Sequence, residues 1–133
     1  MSGQSAGHSA GKSNTQIIRD FVAAWPRLDV DELVSFFAPD GIYHNMPTDP
    51  VQGHDALTTF IGAFIGGWSA TEWDILNITE TADGIVFCER LDRTMVGDKP
   101  AHLPCCGVFE MEDGKIKIWR DYFDMGTYMN ALA

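Results

Sequence analysis

Asp121 stands in the run Trp119-Arg120-Asp121-Tyr122-Phe123-Asp124, and strand alternation sets it on one face with Trp119 and Phe123. A carboxylate between two large aromatics on a dry face is costly unless it is paired or hydrogen-bonded. Arg90 and Asp92 offer that pairing. They lie two positions apart in another run of period two, so they share a face with Cα atoms roughly 7 Å apart. Two acids flanking one guanidinium can divide their roles: the better-paired carboxylate stays ionised, while the more desolvated one holds a proton. A base facing an acid is what addition of water across a polar bond requires. Charged residues on a strand fit a wet face equally well, and a slip of one residue exchanges the faces. Spacing alone therefore leaves Arg90 and Asp92 open between a surface ion pair and a buried one. Tyr43 and Asn45 share the face of a short third run, where a tyrosine is as well explained by the core as by chemistry.

The elements that must position these residues follow from periodicity. Ile17, Ile18, Phe21, Val22 and Trp25 recur at helical spacing behind a Ser13/Gln16 capping box, and Pro26 ends the pattern. A second helix starts at Asp29 and buries Val30, Leu33, Val34 and Phe37 before Pro39 and Asp40-Gly41. A short strand covers 42–46. A third helix uses Leu57, Phe60, Ile61 and Phe64, and Gly66-Gly67 breaks it. From Ser69 the period becomes two, giving strands over 69–80, 85–96, 102–112 and 115–124, with Asp83-Gly84 and Asp113-Gly114 as hairpin signals. Residues 125–132 read as a closing helix.

Helices followed by a meander give an α+β domain over residues 14–133, with residues 1–13 a flexible Gly/Ser/Ala-rich tail. A long twisted meander with helices on one side curls around an apolar pocket, the usual form of a small-molecule site. In meander order the strands bearing Asp92 and Asp121 are second neighbours, about 10 Å apart in the sheet plane. Arg90 is long enough to reach both.

The 133 residues suit one core, and 19 acidic against 9 basic side chains give a net charge of −10. That balance argues against nucleic acid and anionic lipid as partners, since both select clustered Lys and Arg. Three cysteines make no disulfide framework, no run is long and apolar enough to span a membrane, and no secretory h-region precedes the domain. A cytoplasmic protein acting on a weakly polar small molecule fits these totals. Residues 6–13 mimic a phosphate-binding loop, but no strand can precede them. His44, His54 and His102 lack metal-ligand spacing. Cys105 and Cys106 read as small core filler rather than nucleophiles, and Pro104 beside them predicts a bulge or a sheet edge.

Four stretches, Tyr43-His-Asn-Met-Pro47, Glu89-Arg-Leu-Asp92, Gly107 to Ile116 and Trp119 to Asp124, occur in the order and at the separations of the limonene-1,2-epoxide hydrolases, which the chain resembles from about Ile17 onward. The resemblance implies a nuclear-transport-factor-2-like fold: a curved, mixed, mainly antiparallel sheet with helices around a deep pocket. It implies that Asp121 is the general base on water, that Tyr43 and Asn45 hold that water, that Asp92 protonates the epoxide oxygen and that Arg90 bridges both acids. The product would be a vicinal diol, formed without a covalent enzyme ester, metal or cofactor, commonly in a homodimer. Trp119, Phe123, Leu103 and Cys105 are the expected pocket residues. A ketosteroid isomerase-like or polyketide cyclase-like enzyme, or a non-catalytic binding module of the same fold, is the alternative.

Overall fold

The computed structural model describes residues 11–133; the first ten, which hold most of the expected tail and part of the phosphate-loop-like run, lie outside the described residues. Lys12 and Ser13, counted with the tail by composition, are engaged with the first helix instead. Lys12 pairs with Asp20 at 2.7 Å, and the Ser13 hydroxyl accepts the Gln16 N–H. Helix α1 (Asn14–Ala24) buries the expected apolar stripe, and a 3₁₀ turn, Trp25–Arg27, follows it at Pro26. Asp29 caps helix α2 (Val30–Ser35) by accepting the Glu32 N–H.

Phe37 is buried as expected, but as the first residue of strand β1 (Phe37–Asn45), not as the end of α2. The strand tolerates Pro39 because its register with a neighbour shifts between Phe37 and Ile42. Gly41 sits in that bend. A side chain there would lie 3.0 Å from the Ala38 and Ile116 carbonyl oxygens. Strand β2 (Val51–Gln52) and helix α3 (His54–Ile65) follow, then β3 (Trp68–Glu80), β4 (Val86–Val96), β5 (Lys99–Glu112), β6 (Lys115–Phe123) and helix α4 (Met125–Leu132).

The protein is an α+β fold with a mixed sheet in the order β2-β1-β6-β5-β4-β3. The meander β3 to β6 is antiparallel, whereas β1 joins it by pairing parallel to β6. At Asp113-Gly114 both residues have positive φ (51° and 78°), the geometry a two-residue hairpin favours. Register shifts in β3 between Trp68 and Ala70 and between Ile75 and Asn77 curve the sheet. α1 and the 3₁₀ turn pack on its inner face around Phe21, Trp25, Phe109 and Trp119. Pro104 marks an edge and not a bulge: β5 pairs with β4 throughout, but with β6 only from Cys105 to Glu112. α4 packs on β5, tied to it by Lys99 Nζ donating to the Leu132 carbonyl at 2.8 Å. Among the described residues no helix is long and apolar enough to cross a membrane.

Candidate active site

The face of β4 that carries Val86, Cys88, Arg90, Asp92 and Thr94 is buried along its length, which decides the open question about Arg90 and Asp92. Arg90 is 0% exposed. Its Nε donates to Asp92 Oδ1 at 3.0 Å and its Nη2 to Asp92 Oδ2 at 2.9 Å, a two-pronged grip on the acid two residues ahead. The same guanidinium reaches across β5 to β6. Nη1 donates to Asp121 Oδ1 at 3.0 Å and Nη2 to Asp121 Oδ2 at 2.9 Å. The two carboxylates, 7% and 4% exposed as residues, thus share one buried cation.

Packing holds the guanidinium flat. Its central carbon lies 4.6 Å from the Trp73 ring and 5.7 Å from the Trp119 ring, and Trp25 stacks behind Trp73 at 4.2 Å. Trp73 is the cross-strand partner of Asp92, so β3 contributes a wall that sequence patterning did not single out. Its indole N–H donates to the Thr71 hydroxyl at 2.9 Å, and Thr71 is hydrogen-bonded to Thr94 at 2.7 Å.

Parallel pairing of β1 with β6 places Asn45 beside Asp121 and Tyr43 beside Trp119. The Tyr43 and Trp119 rings stack at 4.1 Å and 2°. The turn after β1 returns the Thr48 N–H and hydroxyl to the Asn45 carbonyl, and the Met46 N–H bonds the Asp121 carbonyl, which pins Asn45 in place. All five expected polar residues, Tyr43, Asn45, Arg90, Asp92 and Asp121, therefore converge. All but Arg90 line one cavity of about 310 Å³.

Electrostatics separates the groups. Burial raises the Asp92 carboxyl above its ordinary value, with Asp121 adding to the rise and Arg90 and Cys105 opposing it. Burial also pushes Tyr43 well above the usual phenol value, with Asp121 reinforcing it and Arg90 pulling the other way, so its hydroxyl stays neutral. Burial works against the charge on Arg90, but Asp121 and Asp92 outweigh it and hold the guanidinium firmly protonated.

Apart from Thr48 and Thr94, the rest of the cavity wall is mainly apolar: Phe60 and Phe64 from α3, Trp68 and Trp73 from β3, and Met125, Tyr128 and Met129 from α4. Leu103 and Phe123 line it too. Trp119 and Cys105 do not, contrary to expectation. Trp119 is wholly buried behind Tyr43, and Cys105 lies under Arg90, whose Nη2 is 3.0 Å from its sulfur. Nor is Cys105 plain filler, since its thiol also reaches Asp92. The i, i+4 pair Phe60/Phe64, only half buried on a helix that otherwise buries Leu57, Ile61 and Ile65, is the pattern signal that marked this wall.

Comparison with known proteins bears on the family and the fold. Residues 12–133 match the family model described as the limonene-1,2-epoxide hydrolase catalytic domain. The chain is 29% identical over 116 residues to epoxide hydrolase EphG of Mycobacterium tuberculosis, covering 86% of this chain and 76% of that protein. The solved structure of an M. tuberculosis LEH-like epoxide hydrolase superposes with a TM-score of 0.77 at 28% identity, over 90% of this chain and 88% of the other. A protein of ketosteroid isomerase-like fold from Catenulispora acidiphila superposes with a TM-score of 0.78 at 17% identity, over 87% and 91% of the two chains. That last likeness is one of fold.

Proposed function

Since this chain belongs to the limonene-1,2-epoxide hydrolase family and is an epoxide hydrolase, we propose that it opens its substrate in one step, with Asp121 as base and Asp92 as acid. The observation that carries the division of roles is the charge count around Arg90. One guanidinium, fully buried, faces two buried carboxylates. It balances one negative charge, so in a dry site the second acid is better neutral than ionised. Burial favours the neutral form of Asp92, so we give the role of acid to Asp92 and that of base to Asp121.

Tyr43 and Asn45, beside Asp121 on the cavity wall, hold a water against its carboxylate. Asp121 takes a proton from that water as the oxygen attacks an epoxide carbon. The carbon–oxygen bond of the ring breaks, its electron pair goes to the epoxide oxygen, and Asp92 supplies the proton that oxygen needs. The product is a vicinal diol. Asp121 ends protonated and Asp92 ionised, and exchange with water resets the pair. Positioning together with proton transfer at both ends of the reacting bond supplies the rate, and relief of ring strain drives the opening. The apolar wall suits a small hydrophobic epoxide. We assign a homodimer and a reducing, cytoplasmic compartment as its setting, the latter in keeping with free thiols at Cys88, Cys105 and Cys106.

Hydrolysis of cyclohexene oxide and limonene oxide in ¹⁸O-labelled water under single-turnover conditions tests the route. Direct attack puts label into the diol of the first turnover. A first-turnover diol without label would mean that a carboxylate attacks the epoxide and an enzyme ester is hydrolysed afterwards, which would overturn the assignment of Asp121 as base.

A further inference from the structure

Cys105 stands opposite Arg90 in the β4–β5 ladder, and its sulfur enters the network that joins the two acids. Three acceptor atoms surround a single nitrogen, Arg90 Nη2: Asp92 Oδ2 at 2.9 Å, Asp121 Oδ2 at 2.9 Å and Cys105 Sγ at 3.0 Å. Asp92, Cys105 and Asp121 offer ligand atoms within 4.8 Å of one another, a grouping that would suit a metal ion if the arginine were not at its centre. The cation of this site is the guanidinium.

The thiol proton has two acceptors in reach, Asp92 Oδ2 at 3.3 Å and the Leu103 carbonyl at 3.6 Å. Asp92 Oδ2 is the nearer of the two, so it takes the bond. The two oxygens of Asp92 are then unequal. Oδ2 accepts from both Arg90 Nη2 and the thiol, which uses both of its lone pairs, whereas among the described residues Oδ1 accepts only from Arg90 Nε.

We propose that Cys105 is a positioning residue: its thiol occupies the remaining lone pair of Asp92 Oδ2, so that the catalytic proton is carried on Oδ1. This rests on the role of Asp92 as acid. Burial raises the Cys105 thiol far above its ordinary value, although Arg90 pulls it down, so no thiolate forms. The other ionisable groups around Asp92 are Arg90 and Cys88 on its own strand, Asp121 on β6 and Tyr43 on β1.

The test compares Cys105→Ala and Cys105→Ser with the parent protein in two measurements. The first is the pH profile of cyclohexene oxide hydrolysis. The second is ¹³C NMR titration of carboxyl-labelled aspartate, with the Asp92 signal identified by its loss in Asp92→Asn. Cys105→Ala frees a lone pair on Oδ2, so kcat should fall about threefold to tenfold with KM held. Losing a donor to the ionised form moves both the Asp92 titration and the alkaline limb of the profile to higher pH. Cys105→Ser restores a donor and should recover most of the rate and return the titration toward the parent. A Cys105→Ala protein with parental kcat and an unmoved Asp92 titration would reduce the thiol to a space-filler and overturn the proposal. Equal losses in both variants with an unmoved titration would do the same. If the parent makes no diol, the hydrolytic mechanism falls, and the NMR titration still decides whether the thiol bonds Asp92.

Discussion

Asp92 and Asp121 are the same residue type held by the same arginine, yet their partners differ. Asp121 meets Arg90 through Nη1 and Nη2, beside Asn45. Asp92 meets Nε, Nη2 and a thiol, opposite Trp73 in the ladder. Asp121→Asn removes the base and Asp92→Asn the acid, and each should lower kcat by about 10²- to 10⁴-fold while an amide oxygen still accepts from Arg90. Circular dichroism should show the fold retained, and a variant with near-parental turnover would contradict the role given to its residue. Asp92 also carries a pH signature. Because burial raises the folded-state Asp92 carboxyl, the native protein holds its proton more tightly than the unfolded chain does. That contribution is complete below the ordinary aspartate range and is lost as pH rises through the raised value. The parent Tm should therefore decline with pH over that window, and Asp92→Asn should flatten the decline. Thermal melts across the acid-to-neutral range check this. At this scale the sequence was informative because Arg90 and Asp92 obey the two-residue period. It took Cys105 for filler or pocket lining and passed over Trp73, because their roles depend on which residue lies opposite in the ladder, and spacing along one strand does not encode cross-strand register.

The strands earn their precision from one position that lacks a side chain. Gly107 on β5 lies between Cys88 and Asp121 in the ladder, directly beneath the guanidinium. A Cβ there would stand 2.8 Å from Phe109 Cε1, 2.9 Å from Arg90 Nη1 and 2.9 Å from Trp119 Nε1. All three neighbours are fully buried and none can retreat into solvent. Gly107→Ala should cost about 1–3 kcal/mol in stability by overpacking. It should reduce kcat by a larger factor, about 10²-fold, because a small displacement of Arg90 disturbs both carboxylates at once. Parallel measurements of Tm and kcat decide it: a variant that loses stability but keeps its rate would show that Arg90 can shift without consequence. The meander β3 to β6 and the second-neighbour relation of the acid-bearing strands were legible in the sequence, because Asp-Gly turns and alternation are local signals. The start of β1 at Phe37 was not, since Phe37 continues the apolar spacing of α2 and only pairing with β6 makes it a strand. For the same reason nothing local announced that β1 would lie parallel to β6, the arrangement that brings Tyr43 and Asn45 to Asp121.

The whole chain presents two unlike faces of one curved sheet, the inner one closed by helices around the cavity and the outer one bearing Phe87 (39% exposed) and Tyr122 (45% exposed). Phe87 pairs across the ladder with Val108, and Tyr122 with Cys106, so aromatic and apolar groups adjoin on the outer surface. The homodimer proposed above is tested at this surface. Each copy carries a net charge of −10, so association must overcome like-charge repulsion that apolar burial alone has to offset. Salt should therefore favour the dimer, since the screening length shortens from about 30 Å at 0.01 M to about 10 Å at 0.1 M. Light scattering coupled to gel filtration should give about twice the 14.7 kDa chain mass at moderate salt, with a growing monomer fraction as salt is removed. Phe87→Glu adds a charge to the patch centre and should shift the protein to monomer at every salt concentration. Phe87 is absent from the cavity wall, so turnover per chain should persist in that monomer. A parent that stays monomeric throughout, or a Phe87→Glu protein that stays dimeric, would remove the outer face as the interface. Loss of turnover on dissociation would instead mean that the curvature holding Asp92 and Asp121 around Arg90 depends on the second copy.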